Sequence, residues 1–559
     1  MTGVTITQDR HLFTGRLEPY SGTGLSAYKL AAGHYVTKQF DMNFVCPRPD
    51  SETGSYSGTV IARHRWAYYD GVNPVRYELP VVVFGGATPH IFELLRAPDG
   101  ATIGNAINAA EHGVIKWTPT QAYPTSAPAV FTVRVYDQDM SFIEMTWTVA
   151  TSSSTTKFLF LNADTGNDTT GDGTISAPFR TIAKVTGTSI SSVTYPARIV
   201  YMRGASANYT TMYHNDHPLK GVNDGTDKYI CYLDKAKVPI VFVSFPDENV
   251  TIDFSASEFK LTGSSHDFCF MGSSTVPLRM LGSATLSYES HNIWLEQANR
   301  MIFSWIDIDN FVPRNRYHPT LLGWTNFSPI FSPYAAVGGE AETAATRRYI
   351  VLHRINEINR NTAYPNDASI ITAFGTHSVV MQFCSIDRQV AGGSQGVNFK
   401  DSNWSTSVRY CDLRAENTYP AAITFSDQSN GGNNEIVYTK VKNKIFFNQQ
   451  NTTTVGKVGI HYAGRCSVYS NYSGSGTDNN KAIRAWGNAG ATYTVENCVL
   501  VAYETPAYQS TTGIASTGNE CHQTSGSADQ PLDTTTMLLK NSTTQYRTLY
   551  LGTRGAEIA

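Results

Sequence analysis

The chain has 559 residues, 41% of them aliphatic, aromatic or cysteine and 16% charged, with a formal charge of −3. That length exceeds one ordinary domain and the apolar share can fill buried cores, so two or three folded units are expected rather than a disordered chain. A near-neutral charge without a Lys/Arg run argues against a nucleic-acid partner, and no apolar stretch has the length of a membrane helix, so neither nucleic acid nor membrane insertion is expected.

Abundant Gly, Ser, Thr and Asn point to many short strands joined by turns, which makes the expected class all-β. The N-terminus, MTGVTITQDRHLFTGRLEPY, lacks the basic stretch and apolar core of a secretory signal, so export through an ordinary signal peptide is not expected. Up to Ala150, the segments RHRWAYYDG, RYELPVVVFGG, HIFELL, AVFTVRVYDQD and MTWTVA alternate with Pro/Gly turns, the pattern of a β-sandwich over residues 36–150. Asp137 and Asp139 are too few oxygens for calcium and are expected as surface loop residues. The stretch 151–156, TSSSTT, carries no apolar side chain and reads as a linker.

A strand, FLFL, then opens a Gly/Asp/Thr loop and the segment SAPFRTIAKV. Phe179, Ile182 and Val185 share one helical face, with Pro178 fitting a first turn after Ser176 or Ala177. Downstream, SIITAFGTHSVVMQFCSI, GVNFKDSNWSTSVRYCDL, AITFSDQSNGGNNEIVYTKV, GIHYAGRCSVYSNY and AIRAWGNAGATYTVENCVL each read as strand, polar turn, strand. Their closing apolar residues, aligned as Ile386, Leu413, Val441, Tyr472 and Val499, recur at 27 to 31 residues, a solenoid period. Cys384, Cys411 and Cys498 fall at about the same repeat position, as small residues stacked inside a coil. The eight cysteines form no CxxC pair, so no zinc site and no disulfide scaffold is expected. PARIVYMRG, VPIVFVSF and RMIFSWIDIDN are compatible earlier coils, and residues 311–347 interrupt them with Pro-rich, aromatic sequence.

Two of these stretches resemble known families. APDGATIGNAINAAEHGVIKWTPT followed by FTVRVYDQD resembles the cadherin-like, immunoglobulin-like modules of bacterial and viral surface proteins, which act mostly as spacers or docking units. The segment from Phe158 to Val185, with the repeats behind it, resembles right-handed parallel β-helices of the pectate-lyase and phage-tailspike kind, in which such a helix lids the open end of the solenoid. The resemblance implies an N-terminal docking arm over 1–35, the sandwich over 36–150, a right-handed parallel β-helix over 157–530 and a C-terminal segment over 531–559. It further implies a homotrimeric spike or fibre on the exterior of a phage or phage-like particle. Such a spike docks to other particle proteins through its N-terminal region and binds, in some members degrades, host cell-surface polysaccharide. A non-catalytic structural or decoration protein of the particle, or a bacterial polysaccharide lyase or hydrolase, fits the same pattern, because fold alone does not fix function.

Asp401 and Asp427 each lie four residues past the first apolar residue of their coil. Equivalent residues of adjacent coils stack at about 4.8 Å, close to the separation of about 5 to 5.5 Å between the carboxyl pair of retaining glycosidases, so this pair is the first catalytic candidate. Asp is also a favoured turn residue, which is the alternative reading. Asp307 and Asp309 alternate on a strand and share one face, making them a second candidate beside the aromatic insertion. Trp324, Phe327, Phe331 and Tyr334 offer flat apolar faces for sugar rings, or pack the core of a loop. HNDH, 214–217, holds metal-ligand types without a third anchored ligand and reads as a turn. No Walker loop, dinucleotide fingerprint, GxSxG or HExxH occurs, and no cofactor or metal is expected.

Overall fold

The computed structural model describes residues 6–9, most of 28–47, 65–186 except 108–109, and, from 198 to 523, the strands and tight turns of a repeating β-structure. The HNDH turn and the segments 1–5 and 524–559 lie outside the described residues, as do most loops between the repeating strands.

Alternation shapes the N-terminal unit. Along Ala129–Tyr136 every second side chain is buried, so Phe131, Val133 and Val135 face inward while Val130, Thr132 and Arg134 do not. This strand sits between Ile91–Arg96 and Phe142–Ser152 in an antiparallel sheet whose other edge is Ile6–Asp9. Tyr77–Pro80, Val114–Trp117 and Thr102–Ile103 form a second antiparallel sheet, and Asn43–Cys46 pairs with Val82–Phe84. Trp117, from the GVIKW segment, is fully buried, edge-on to Tyr77, Tyr123 and Phe131, and Phe131 stacks on Trp147 at 5.4 Å.

Asp137 departs from the expected surface position. It is fully buried in the turn after Tyr136, where its carboxylate accepts the amides of Ser141 at 2.9 Å and Ala87 at 3.3 Å. Asp137 thereby joins the hairpin turn, where Met140 takes a left-handed φ of 65°, to the backbone at Ala87. Asp139, by contrast, accepts the exposed Tyr35 hydroxyl. The seam at 151–156 is structured as well: Thr151 and Ser152 extend the sheet against Ala67 and Tyr68, and Lys157 closes a turn onto Ser154.

The segment after Phe158 covers a strand edge. Phe158–Leu161 pairs in parallel with Arg198–Met202 on one side. On its other side Phe160 donates to Gly173, Phe179 donates to Phe160, and Asn162 donates to Phe179, which satisfies groups that a raw edge would expose. Side chains shape the loop: Asn162 caps the amides of Asp164 and Thr165, Asn167 those of Thr169 and Thr170, and Asp168 those of Arg180 and Thr181. The helix is shorter and later than the sequence suggests, Ile182–Thr186, with Thr181 rather than Ser176 or Ala177 at its cap. Pro178 belongs to the loop, because Phe179 is held as a β-bridge to Leu161. Ile182 and Val185 are buried with Leu159, Leu161, Val200 and Met202, and Phe179 packs against them.

Beyond this cap the strands recur in a three-sided coil. Val397–Lys400, Ser405–Arg409 and Asp412–Ala415 make one coil, and each pairs in parallel with its counterpart in the next, Ile423–Ser426, Asn433–Val437 and Lys440–Lys442. The first face, that of Ser405–Arg409, and the second, that of Asp412–Ala415, merge into one 21-stranded sheet, and the third, that of Val397–Lys400, divides into stacks of four and six strands. This is the pairing pattern of a β-helix, and among its described residues from 158 to 523 the helix is the short cap. The core is a column of inward residues such as Phe399, Phe425 and Phe447, stacked at 5.4 and 5.3 Å.

The corner between the first two faces is built by one left-handed residue per coil. Trp305, Arg354, Phe383, Tyr410, Tyr438, Arg465 and Asn497 all have φ between 48° and 56°. Inter-coil amide bonds continue through the bend, for example Phe383 to Arg409 O at 3.1 Å and Tyr410 to Val437 O at 3.2 Å, which offsets the cost of the unfavourable φ. The next residue turns inward, giving a buried column of Cys384, Cys411, Thr439, Cys466 and Cys498. No disulfide forms among the described cysteines. Pairing places Ile386, Leu413, Val441, Val468 and Leu500 in one row, so the sequence alignment slipped at Tyr472 and Val499. SVYSNY and CVLVA offer several apolar residues in period two, and only backbone pairing selects among them.

The sandwich lies along the first face of the coil. Its Phe44, Val83, Val114 and Phe131 share one buried cluster with the outward-pointing Phe158, Tyr201, Val243, Cys269, Ile302, Val351 and Val380 of the shaft. Arg76 reaches Asp247 through paired contacts of 2.7 and 2.9 Å, and Glu78 accepts the amide of Ser274 at 2.8 Å.

Candidate functional site

The three faces differ in what covers them. The outward side of the first face carries the sandwich as far as Tyr438, whose hydroxyl accepts the Val36 amide at 2.9 Å and donates to Thr88 O at 3.0 Å. On the third face one outward row, Asn398, Thr424, Phe446 and Arg484 of Val397–Lys400 and its successors, is buried. The second face has a broad, partly exposed outward row among the described residues: Thr251, Arg279, Asp307, Asn356, Ser385, Asp412 and Lys440 stack one per coil. Beside it runs Asp387, Arg414, Lys442 and Tyr469.

Asp307 and Asp309 stand in this face. They lie on Met301–Asp309 with Ile308 buried between them, because the strand alternates. Arg279 holds Asp309 at 3.3 Å, both side chains about half exposed. Burial pushes the Asp307 carboxyl above its usual range, against the opposing pull of an Asn356 hydrogen bond and the Arg279 charge. Three coils on, Arg414 grips Asp412 with Nε and Nη2, both at 2.7 Å, and Lys440 lies 3.8 Å from the same carboxylate. Charged and hydrogen-bonding groups therefore repeat at the strand spacing of about 4.8 Å along one open face.

Asp401 and Asp427 lie outside the described residues; the strands before them pair in register, with Lys400 opposite Ser426. Phe327 and Phe331 also lie outside them. Trp324 sits opposite Tyr317 in an antiparallel hairpin, Asn315–His318 with Gly323–Asn326. Tyr334 does not belong to that excursion: Ser332–Tyr334 returns to the third face, with Tyr334 opposite Glu296. No group of three or more metal-ligating side chains occurs among the described residues.

Sequence reasoning missed the polar cluster where sandwich meets shaft. Arg409 is buried, donating to Val83 O at 2.6 Å and to Gln382 Oε1 from Nε at 3.0 Å and Nη2 at 2.9 Å, with Nη1 3.3 Å from His90 Nδ1. Glu435 accepts the Ser407 hydroxyl at 2.6 Å, and burial raises its pKa despite that bond and the charge of Arg409. Its row, Ser304, His353, Gln382, Arg409 and Val437, is mostly polar, and only the pairing of the coils brings these residues into one line. No family model matches the chain, and a search of curated proteins returns no match.

Proposed function

We propose that the chain is a spike or fibre of a phage or phage-like particle, a right-handed parallel β-helix with an immunoglobulin-like module at its N-terminal side, that binds host cell-surface polysaccharide. The observation that carries this reading is the second face: an open row of Arg279, Asp307, Asn356, Ser385, Asp412 and Lys440 at a constant interval. An extended polymer with a repeating unit meets such a row with repeated hydrogen bonds and ionic contacts, and Tyr469 in the neighbouring row adds an aromatic face. The spike is a homotrimer docked to other particle proteins through its N-terminal region, in keeping with the closed symmetry of most oligomers.

Binding is the better supported part of the reading, since Asp309 and Asp412 are engaged by basic partners that position them as acceptors. Degradation of the glycan rests on Asp401 with Asp427, or on Asp307. The test is a screen of the purified chain against capsular and lipopolysaccharide glycans, with binding and cleavage read separately. The reading expects saturable binding to at least one glycan, weakened tenfold or more by Arg279→Ala with Lys440→Ala. Absence of binding across glycans from hosts that the particle infects rejects it.

A further inference from the structure

The sandwich contributes His90 and His112 to its joint with the shaft, and the shaft contributes His353, Arg354 and Arg409. The three histidines are at most 4% exposed. Hydrogen bonding fixes two of them as acceptors. Arg409 has only donors, so the Nδ1 that it meets on His90 must carry a lone pair, and His90 Nε2 then donates to Gly85 O at 2.8 Å. Arg409 also claims the carbonyl oxygen of Gln382. That orients the amide so that its nitrogen donates to His353 Nδ1 at 3.0 Å, which makes His353 an acceptor too. The remaining nitrogen of His353 meets no hydrogen-bond partner among the described residues. His112 bonds Asn105 O at 3.1 Å and packs edge-on against Phe383, as His353 does.

We propose that the joint between sandwich and shaft is an acid-sensitive clasp, which opens when protonation at Nδ1 of His90 and His353 turns two acceptors into donors facing donors. The surrounding charges reinforce the effect. His90 feels Arg409 and His112, His112 feels Arg409 and Arg354, and His353 feels all three. Glu435 acts on Arg409 from the opposite sign. Asp137, which binds Ala87 close to this cluster, stays within the sandwich whether the clasp is closed or open.

Burial and the neighbouring cations hold all three imidazoles below the ordinary range in the closed joint, whereas in an open joint they titrate near about 6.5. The closed joint is therefore fully stable above about pH 6.5 and loses stability as pH falls below it. Each histidine multiplies the open-to-closed ratio by up to about tenfold per pH unit, so the two acceptors together give up to about 100-fold and His112 up to about tenfold more.

Cys269 reports the opening, because it lies in the buried cluster shared by sandwich and shaft, while Cys466 and Cys498 sit inside the coil. The full chain is labelled with 4,4′-dithiodipyridine between pH 7.5 and 4.5, normalised to glutathione, and the labelled cysteines are mapped. The clasp predicts a rise in Cys269 labelling of about 100- to 1,000-fold per pH unit well below pH 6.5 with Cys466 and Cys498 still protected, and a shallower slope in His90→Gln and His353→Gln. Two results overturn it: Cys269 as protected as Cys466 until the circular dichroism of the strands is lost, or an unchanged slope in both variants. Should a variant fail to fold, the pH slope of the parent chain decides alone.

Discussion

Phe425→Ala tests whether stability in the shaft is local to neighbouring coils. The ring is fully buried and stacked between Phe399 and Phe447, at 5.4 and 5.3 Å. Removing a buried phenylalanine costs about 3–5 kcal/mol, of which each lost stacked pair accounts for about 0.5–1.5 kcal/mol. Phe425→Leu keeps most of the volume and loses chiefly the stacking, so about 1–3 kcal/mol is expected. In a coil that contacts only its neighbours, the loss stays near the site. Hydrogen exchange followed by mass spectrometry should therefore show protection in residues 397–449 falling by about 100- to 3,000-fold in the alanine variant, with Arg198–Met202 unchanged. Equal loss along the whole shaft, or less than tenfold loss at the site, would refute nearest-neighbour stacking as the source of its stability.

Three further outcomes follow from individual residues. Burial raises the Asp137 carboxyl to about 6 from an ordinary 3.8, so the native state holds this proton more tightly than the unfolded chain and stability falls as pH rises from about 4 to 6. The step is on the order of 3 kcal/mol; Asp137→Asn should remove it, and a variant-minus-parent thermal midpoint that stays flat across this window rules the assignment out. Gly173 has φ +80° and a Cβ there would lie 2.7 Å from Leu159 and from the Phe179 ring, so Gly173→Ala should loosen the cap and increase exchange in Phe158–Leu161; unchanged exchange contradicts its role in covering that edge. If the glycan is cleaved, Asp401→Asn or Asp427→Asn should abolish cleavage while leaving binding and thermal midpoint nearly intact. Cleavage that survives in both moves the chemistry to Asp307, where Asp307→Asn is the next variant.

How far the sequence could be read depended on whether local pattern or distant pairing decided each feature. Strand alternation, the cysteine position and the apolar strand pairs follow from period two and from the near-constant coil interval, so the coil column from Ile386 to Val441 was legible. Val468 was not, because Tyr472, four residues on, satisfies the same period-two pattern and the choice lies in pairing with Val441. The cap was legible in Ile182 and Val185, but its start was set by Asp168 reaching forward twelve residues to the Arg180 amide, which a proline at 178 does not reveal. Asp307 and Asp309 could be placed on one face from their spacing alone. Nothing local showed that the sandwich would cover the first face, since Arg409 meets Val83 across 326 positions.

The most direct test of the glycan-binding claim is a hydrogen-exchange footprint of the chain with a glycan that it binds. Protection should gather on the second face, over Leu278–Leu281, Met301–Asp309, Ser385–Arg388, Asp412–Ala415 and Lys440–Lys442, and should leave the sandwich strands Ala129–Tyr136 and Phe142–Ser152 unchanged. A footprint confined to the sandwich, or to the third face alone, would contradict the placement of the polysaccharide along the open row.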